Sequence, residues 1–200
     1  MEELTEQPLT EAADPVEPEQ KQALRQFKSI ALEVLETAAL AVLIWLVLNT
    51  ATARYVVEGV SMQPNLQTGQ YFIVSRVAYW FNDPQRGDVI VFDYPNNPDD
   101  DYVKRIIGLP GETVRIDVNG QVFIDEAPLN EEYINGGRAG RAGSWTVPPG
   151  SYFVMGDTRG SSSDSRSWGA LEESYIIGKA WLSYWPVDMW GTAPHHTFSD

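Results

Sequence analysis

Residues 113–125 read TVRIDVNGQVFID: two runs in which β-branched or aromatic residues alternate with polar ones, joined by Asn119-Gly120. A period of two sends one set of side chains to a single face, and Asn-Gly between such runs is the strongest short-range hairpin signal. The stretch predicts an antiparallel hairpin with a type I′ turn at Asn119-Gly120. The same grammar extends in both directions, through YFIVSRV (71–77), DVIVF (88–92), DYVKRII (101–107), YFVM (152–155) and residues 176–184. Turn chemistry separates these runs at Asp83-Pro84, Arg86-Gly87, Pro110-Gly111 and Pro149-Gly150. No long amphipathic helical pattern lies between them, so residues 54–200 are expected to be mainly β, an antiparallel sheet or partly open barrel, not βαβ units. NNPDDD (96–101) reads as an acidic turn without the ligand spacing of a cation site, and GGRAGRAG (136–143) as a flexible loop.

Upstream the character changes. Residues 1–20 hold seven acids, no base and three prolines, a composition with nothing to bury, and residues 1–28 are read as an acidic, disordered leader. Lys21, Arg25 and Lys28 precede a run that is uncharged from Thr37 to Ala53 and wholly apolar from Ala38 to Leu48. Those 17 uncharged residues are about the shortest span of a hydrocarbon core, and residues 29–53 are read as one transmembrane anchor helix. Three bases before the run against Arg54 directly after it favour an N-terminus in the cytoplasm and residues 54–200 outside it. A buried core helix and a cleavable signal peptide are the rival readings. The second has a small-x-small match at Ala51-Thr52-Ala53, which also makes Ala53-Arg54 a candidate self-processing bond.

Composition then restricts the chemistry. With 28 acids against 14 bases, net charge −14, the chain is a poor binder of phosphate backbones, and nucleic acid is not an expected partner. There is no cysteine, and the two histidines, His195 and His196, look like tail residues. Thiol nucleophiles, disulfides and cysteine-ligated zinc are excluded and a histidine-based triad is disfavoured. A hydrolase built from residues 54–200 needs Lys or a carboxylate as its base, and only Lys104 and Lys179 are available there. Strand alternation puts Lys104 on the face of Tyr102 and Ile106, where desolvation would lower its pKa. A lysine snorkelling from a strand into water fits the same spacing. Gly59-Val60-Ser61-Met62-Gln63-Pro64 offers an exposed hydroxyl at a constrained turn, or an ordinary turn. Gly156 to Arg166 (GDTRGSSSDSR) carries two Asp, two Arg and four Ser, either a mobile loop or an ion-pair network that buttresses a site.

Taken in order, VEGVSMQPNL (57–66), RGDVIVF (86–92), VKRIIGLPGE (103–112) and GDTRGSSSDSR (156–166) resemble the bacterial type I signal peptidases, membrane-anchored serine/lysine proteases that remove signal peptides from exported proteins. The resemblance covers roughly Val56 to Trp185 with the preceding anchor. It implies Ser61 as nucleophile and Lys104 as general base, without cofactor or metal. Ser162 matches the family's serine that hydrogen-bonds the lysine amine, and Asp164 and Arg166 match its supporting ion pair. Val57, Met62, Leu66 and Tyr102 fall at substrate-lining positions, and plain core would suit each equally. The implied partners are preprotein signal peptides ending in Ala-x-Ala and the lipid bilayer, with the enzyme a monomer near the export translocon. Gly59 stands where some members carry an oxyanion-binding serine. Thr158, Gly160 and Ser161 replace the frequent Asn, Asp and Asn, and Glu131–Ser144 takes the place of the second domain of some relatives. Trp80-Phe81, Trp185 and Trp190 are expected to form a lip at the membrane interface, although core packing explains Trp185, like Trp181, equally well. Two alternatives stand beside this reading: a serine/lysine protease with another task, such as self-cleavage or pilus processing, and an anchored β-domain whose dyad is inert.

Overall fold

The computed structural model describes residues 19–134 and 141–198, with side chains from residue 23. The chain divides into two units, residues 1–47 and 48–200. The helix α1 spans Glu19–Ala51. It begins ten residues before the expected anchor because EQKQALRQFK is rich in good helix formers, which carry the helix through residues 19–28. The other eighteen leader residues lie outside the described ones. From Leu24 to Leu48 the large apolar side chains of α1 are exposed, and residues 23–51 are long and apolar enough to cross a membrane. A helix that shows hydrophobic groups on every side has no water-facing stripe, as a lipid-facing helix requires.

After the helix come β1 (Thr52–Val56), β2 (Tyr71–Ser75), β3 (Val89–Tyr94), β4 (Asn97–Gly108), β5 (Thr113–Ile116), β6 (Val122–Ile124) and β7 (Ala127–Pro128). They are followed by β8 (Gly143–Thr146), β9 (Ser151–Met155), the one-turn helix α2 (Ser165–Trp168), β10 (Leu171–Glu172), β11 (Ile176–Trp185) and β12 (Gly191–Thr192). The large sheet runs β1-β2-β11-β3-β4-β9-β10 with β12 on β11, and the small sheet runs β7-β6-β5-β8. Every pairing is antiparallel, as the sequence predicts.

Two local readings change. Gly120 has φ +78 but Asn119 is not in the left-handed region, and Asp117 pairs with Gln121 around the loop Val118-Asn119-Gly120. Asp117 Oδ1 accepts from Asn119 N–H and Gln121 N–H, which stabilises this three-residue loop over the predicted type I′ turn. Positive φ at two successive residues occurs instead at Asp125 (+46) and Glu126 (+69), the two-residue connection from β6 to β7. Asn97–Asp101, read as an acidic turn, forms the start of β4, with Asp101 opposite Asp93 on β3. GGRAGRAG lies largely outside the described residues, and its last glycine opens β8.

The core has three parts. Val57, Met62, Leu66, Phe72, Val74, Val89 and Val91 pack together where β1, β2 and β3 meet the loop after β1. Ile107, Val114, Ile116, Val122, Val147, Phe153 and Met155 join the two sheets. Ile90, Phe92, Ile106, Tyr152, Val154 and Leu171 form a third cluster drawn from β3, β4, β9 and β10. β9 is buried at all five positions, so the segment leaving it, Gly156 onward, starts from a fixed point.

Candidate active site

Ser61 sits in the loop between β1 and β2, and the reason it holds still lies on either side of it. Met62 and Leu66 are 1% exposed and anchor the loop in the core, while Val57 N–H bonds to the Gln70 carbonyl at 2.8 Å and closes it. Thr158 clamps the turn from across the site. Its N–H donates to the Ser61 carbonyl at 2.9 Å, and its hydroxyl reaches the Val60 and Gln63 carbonyls at 2.6 and 2.9 Å. Gly156 permits this approach: a Cβ there would overlap the Ser61 carbonyl oxygen and the Ser162 side chain.

Lys104 enters from the middle of β4. It is 4% exposed, its Nζ lies 2.9 Å from Ser61 Oγ, and it donates to the Val103 carbonyl at 2.8 Å. The Tyr102 ring is 5.0 Å from the ammonium, on the face that alternation predicts. Burial lowers the Lys104 pKa from the ordinary 10.5 to about 8, against the opposing pull of Asp164 and Asp157. Lys179, the other candidate, is committed to an ion pair with Asp88 at 2.6 Å.

Asp164 and Arg166 form the bidentate pair anticipated from the motif, at 2.8 and 2.7 Å, with both side chains buried. Asp164 also caps α2 and accepts the Gly156 N–H at 3.1 Å, so one carboxylate ties both ends of the loop. Ser162 differs from expectation. Its Oγ is buried against Gly156 and has no hydrogen-bond partner among the described residues, while Lys104 Nζ is directed to Ser61 and the Val103 carbonyl. Val57, Met62 and Leu66 are likewise corrected from lining to core, at 3%, 1% and 1% exposed. Their hydrophobic bulk is spent on holding the loop. The cleft of about 690 Å³ above Ser61 and Lys104 is lined instead by Tyr55, Val56, Phe72, Val91, Tyr102 and Val103, with Glu58, Asp99, Asp100 and Asp101 as its acidic part.

Reading by sequence missed a second layer. Arg105, on the opposite face of β4 from Lys104, is 0% exposed and bidentate to Asp157 at 2.9 and 2.8 Å. Asn65 donates to the same carboxylate at 2.8 Å, and Arg159 pairs with the buried Glu131. The signal was an arginine between Val103 and Ile107 on one face of a strand, which must find a carboxylate if it is buried.

A hydroxyl bonded to a desolvated amine at the base of an open cleft is the equipment of an amide hydrolase that works without histidine. The family described as signal peptidase, peptidase S26, matches residues 31–185. Signal peptidase I of Leptolyngbya laminosa is 40% identical over 170 residues, covering 80% of this chain and 82% of that one. Signal peptidase I of Bacillus caldolyticus is 40% identical over 148 residues, covering 67% and 80%. The crystal structure of a signal peptidase I from Enterococcus faecalis V583 is 33% identical and covers 49% of this chain and 97% of that one, with a TM-score of 0.44. The chain belongs to the signal peptidase family, peptidase S26.

Proposed function

We propose that this protein is a membrane-anchored signal peptidase that cuts preproteins after the small residue of an Ala-x-Ala site, with Ser61 as nucleophile and Lys104 as general base. The observation that carries the assignment is the 2.9 Å approach of a buried Lys104 Nζ to Ser61 Oγ. Neutral Lys104 takes the hydroxyl proton as Ser61 Oγ attacks the scissile carbonyl. The oxyanion is received by backbone N–H groups, chiefly that of Ser61, since Gly59 offers no hydroxyl. The Lys104 ammonium then protonates the leaving amine, and a water deprotonated by Lys104 releases the acyl group from Ser61. Asp164 and Arg166 hold the loop, and the Val103 carbonyl, at 2.8 Å from Lys104 Nζ, orients the amine.

An extended signal peptide suits the cleft. Val56 lies both in the cleft wall and in β1, an edge strand with one side of its ladder free, and small side chains suit a cleft walled by Tyr55, Phe72 and Val91. Residues 29–53 anchor the enzyme, residues 1–28 lie in the cytoplasm and residues 54–200 work outside it, the orientation set by Lys21, Arg25 and Lys28.

The test is cleavage of an Ala-x-Ala preprotein by the full chain in detergent. Wild type is expected to cut after the second Ala, and Ser61→Ala and Lys104→Met each to lose at least about 1000-fold in kcat. Retention of more than about a tenth of the activity by either variant would overturn the roles. Failure of wild type to cut this preprotein would point to a serine/lysine protease with another substrate.

A further inference from the structure

His195 and His196 were expected to be tail residues; residues 193–196 form a strap across the open end of the β3–β11 pairing. The last paired residues there are Lys179 and Ile90. One residue further on, the His195 ring stands between the two strands: Nδ1 accepts from Val89 N–H at 3.1 Å, and Nε2 donates to the Ala180 carbonyl at 2.8 Å. That pair of bonds requires the neutral tautomer with its proton on Nε2. Backbone contacts continue the attachment, from Ala193 N–H to the Trp181 carbonyl at 2.8 Å and from His196 N–H to the Gly87 carbonyl at 3.2 Å. At Gly87, with φ +91, a Cβ would overlap the His196 carbonyl oxygen, so the strap lies directly on the backbone.

The strap leads to the site. The Pro194 carbonyl accepts from Arg105 Nη1 at 2.7 Å, and the Gly87 carbonyl accepts from the same nitrogen at 2.9 Å. The rest of the guanidinium grips Asp157, whose neighbour Thr158 holds the Ser61 carbonyl. A buried guanidinium that loses an acceptor is left with an unsatisfied donor, and its grip on Asp157 must readjust.

We propose that His195 is a positioning residue of the catalytic site: its neutral imidazole locks the 193–196 strap, which through Pro194, Arg105 and Asp157 sets the turn bearing Ser61, and uptake of one proton at His195 loosens that setting. The inference rests on the assignment of Ser61 and Lys104 as the catalytic pair. An imidazolium has no lone pair for Val89 N–H, and its charge faces Lys179 on β11 and Arg105 on β4. Asp88 lies 3.9 Å from Nδ1 but is already engaged by Lys179 at 2.6 Å, Tyr79 at 3.0 Å and Gln85 N–H at 3.2 Å. Burial, with Lys179 and Arg105, accordingly holds His195 below the ordinary 6.5, against the Ala180 carbonyl and Asp88. Because the folded value is depressed, the lock is present above about pH 6.5 and is lost as pH falls through the folded value.

The experiment measures kcat and KM of the full chain from about pH 5 to 10 for wild type, His195→Gln and His195→Leu. In parallel, the His195 ring is titrated by NMR and Val89 amide exchange is followed in a Ser61→Ala background. Gln keeps one acceptor and one donor without titrating, whereas Leu keeps neither. The Leu variant is expected to lose about tenfold in kcat at pH 8 with KM nearly unchanged, and the Gln variant to stay within about twofold. Wild type is expected to show an acid limb in log kcat that steepens beyond slope one, from Lys104 and His195 together, and the Gln variant a limb of slope one. Val89 exchange should accelerate as the ring takes up its proton. Wild-type kcat in the Leu variant, or the same steepening in the Gln variant, overturns the inference. If wild type cleaves no preprotein, the functional assignment fails by itself, and Val89 protection that ignores the His195 titration overturns the lock independently. Should the Leu variant not fold, the Gln variant and the wild-type titration still decide.

Discussion

Burial decides the behaviour of Lys104: the core around β4 disfavours its charge and brings the amine within reach of neutral pH. Cleavage should therefore rise with pH through about 8 as the amine loses its proton, and a flat profile would exclude lysine as base. The sign for stability runs the same way. The folded pKa lies below the unfolded one, so the cost of the buried cation is present in full below about 8 and fades towards 10.5. Lys104→Met should abolish cleavage yet stabilise the fold by up to about 3 kcal/mol at neutral pH, read as a raised Tm. Ser61 and Lys104 were legible because scarcity of Cys, His and Lys left few other candidates and because both sit in recognisable motifs. Arg105 was not legible. Its carboxylate partner lies 52 residues away on another segment, and alternation by itself predicts only that Arg105 faces away from Lys104.

Among the elements, the hairpins show where local chemistry speaks and where it is overruled. Alternation in TVRIDVNGQVFID located β5 and β6, but the turn geometry predicted for Asn119-Gly120 went to Asp125-Glu126. At Asn119 the Asp117 side chain supplies two bonds that favour a longer loop. At Asp125 and Glu126 two non-glycine residues accept left-handed φ because the β6–β7 register demands a two-residue connection. Asp125→Asn with Glu126→Gly should relieve that strain and stabilise the protein by about 1 kcal/mol by denaturant titration. The exposed Arg115–Glu126 ion pair lost in the exchange offsets little. Cleavage should not change, because neither residue lines the cleft.

For the molecule as a whole, strand content was legible in short alternating runs, while the order β1-β2-β11-β3 was not, because it joins strands about a hundred residues apart. Trp80 and Phe81 are 68% and 90% exposed, and Trp185 and Trp190 are 54% and 66% exposed. Such exposure leaves these four rings outside the core, and we propose that Trp80 and Phe81 meet the lipid interface. Trp80→Ser/Phe81→Ser should cut a short soluble peptide at the wild-type rate and a membrane-inserted preprotein several-fold more slowly; equal slowing of both would place the pair in the chemistry instead. A last consequence concerns β1. Its Ala51-Thr52-Ala53 prefix satisfies the small-x-small rule attributed to the substrates, yet Ala53 and Arg54 are locked in register with Val74 and Ile73. If a peptide must be extended and unpaired to be cut, this pairing withholds the bond, and sequencing the N-terminus of the purified protein is expected to find Ala53-Arg54 intact. Folding would then act as the safeguard of the tether.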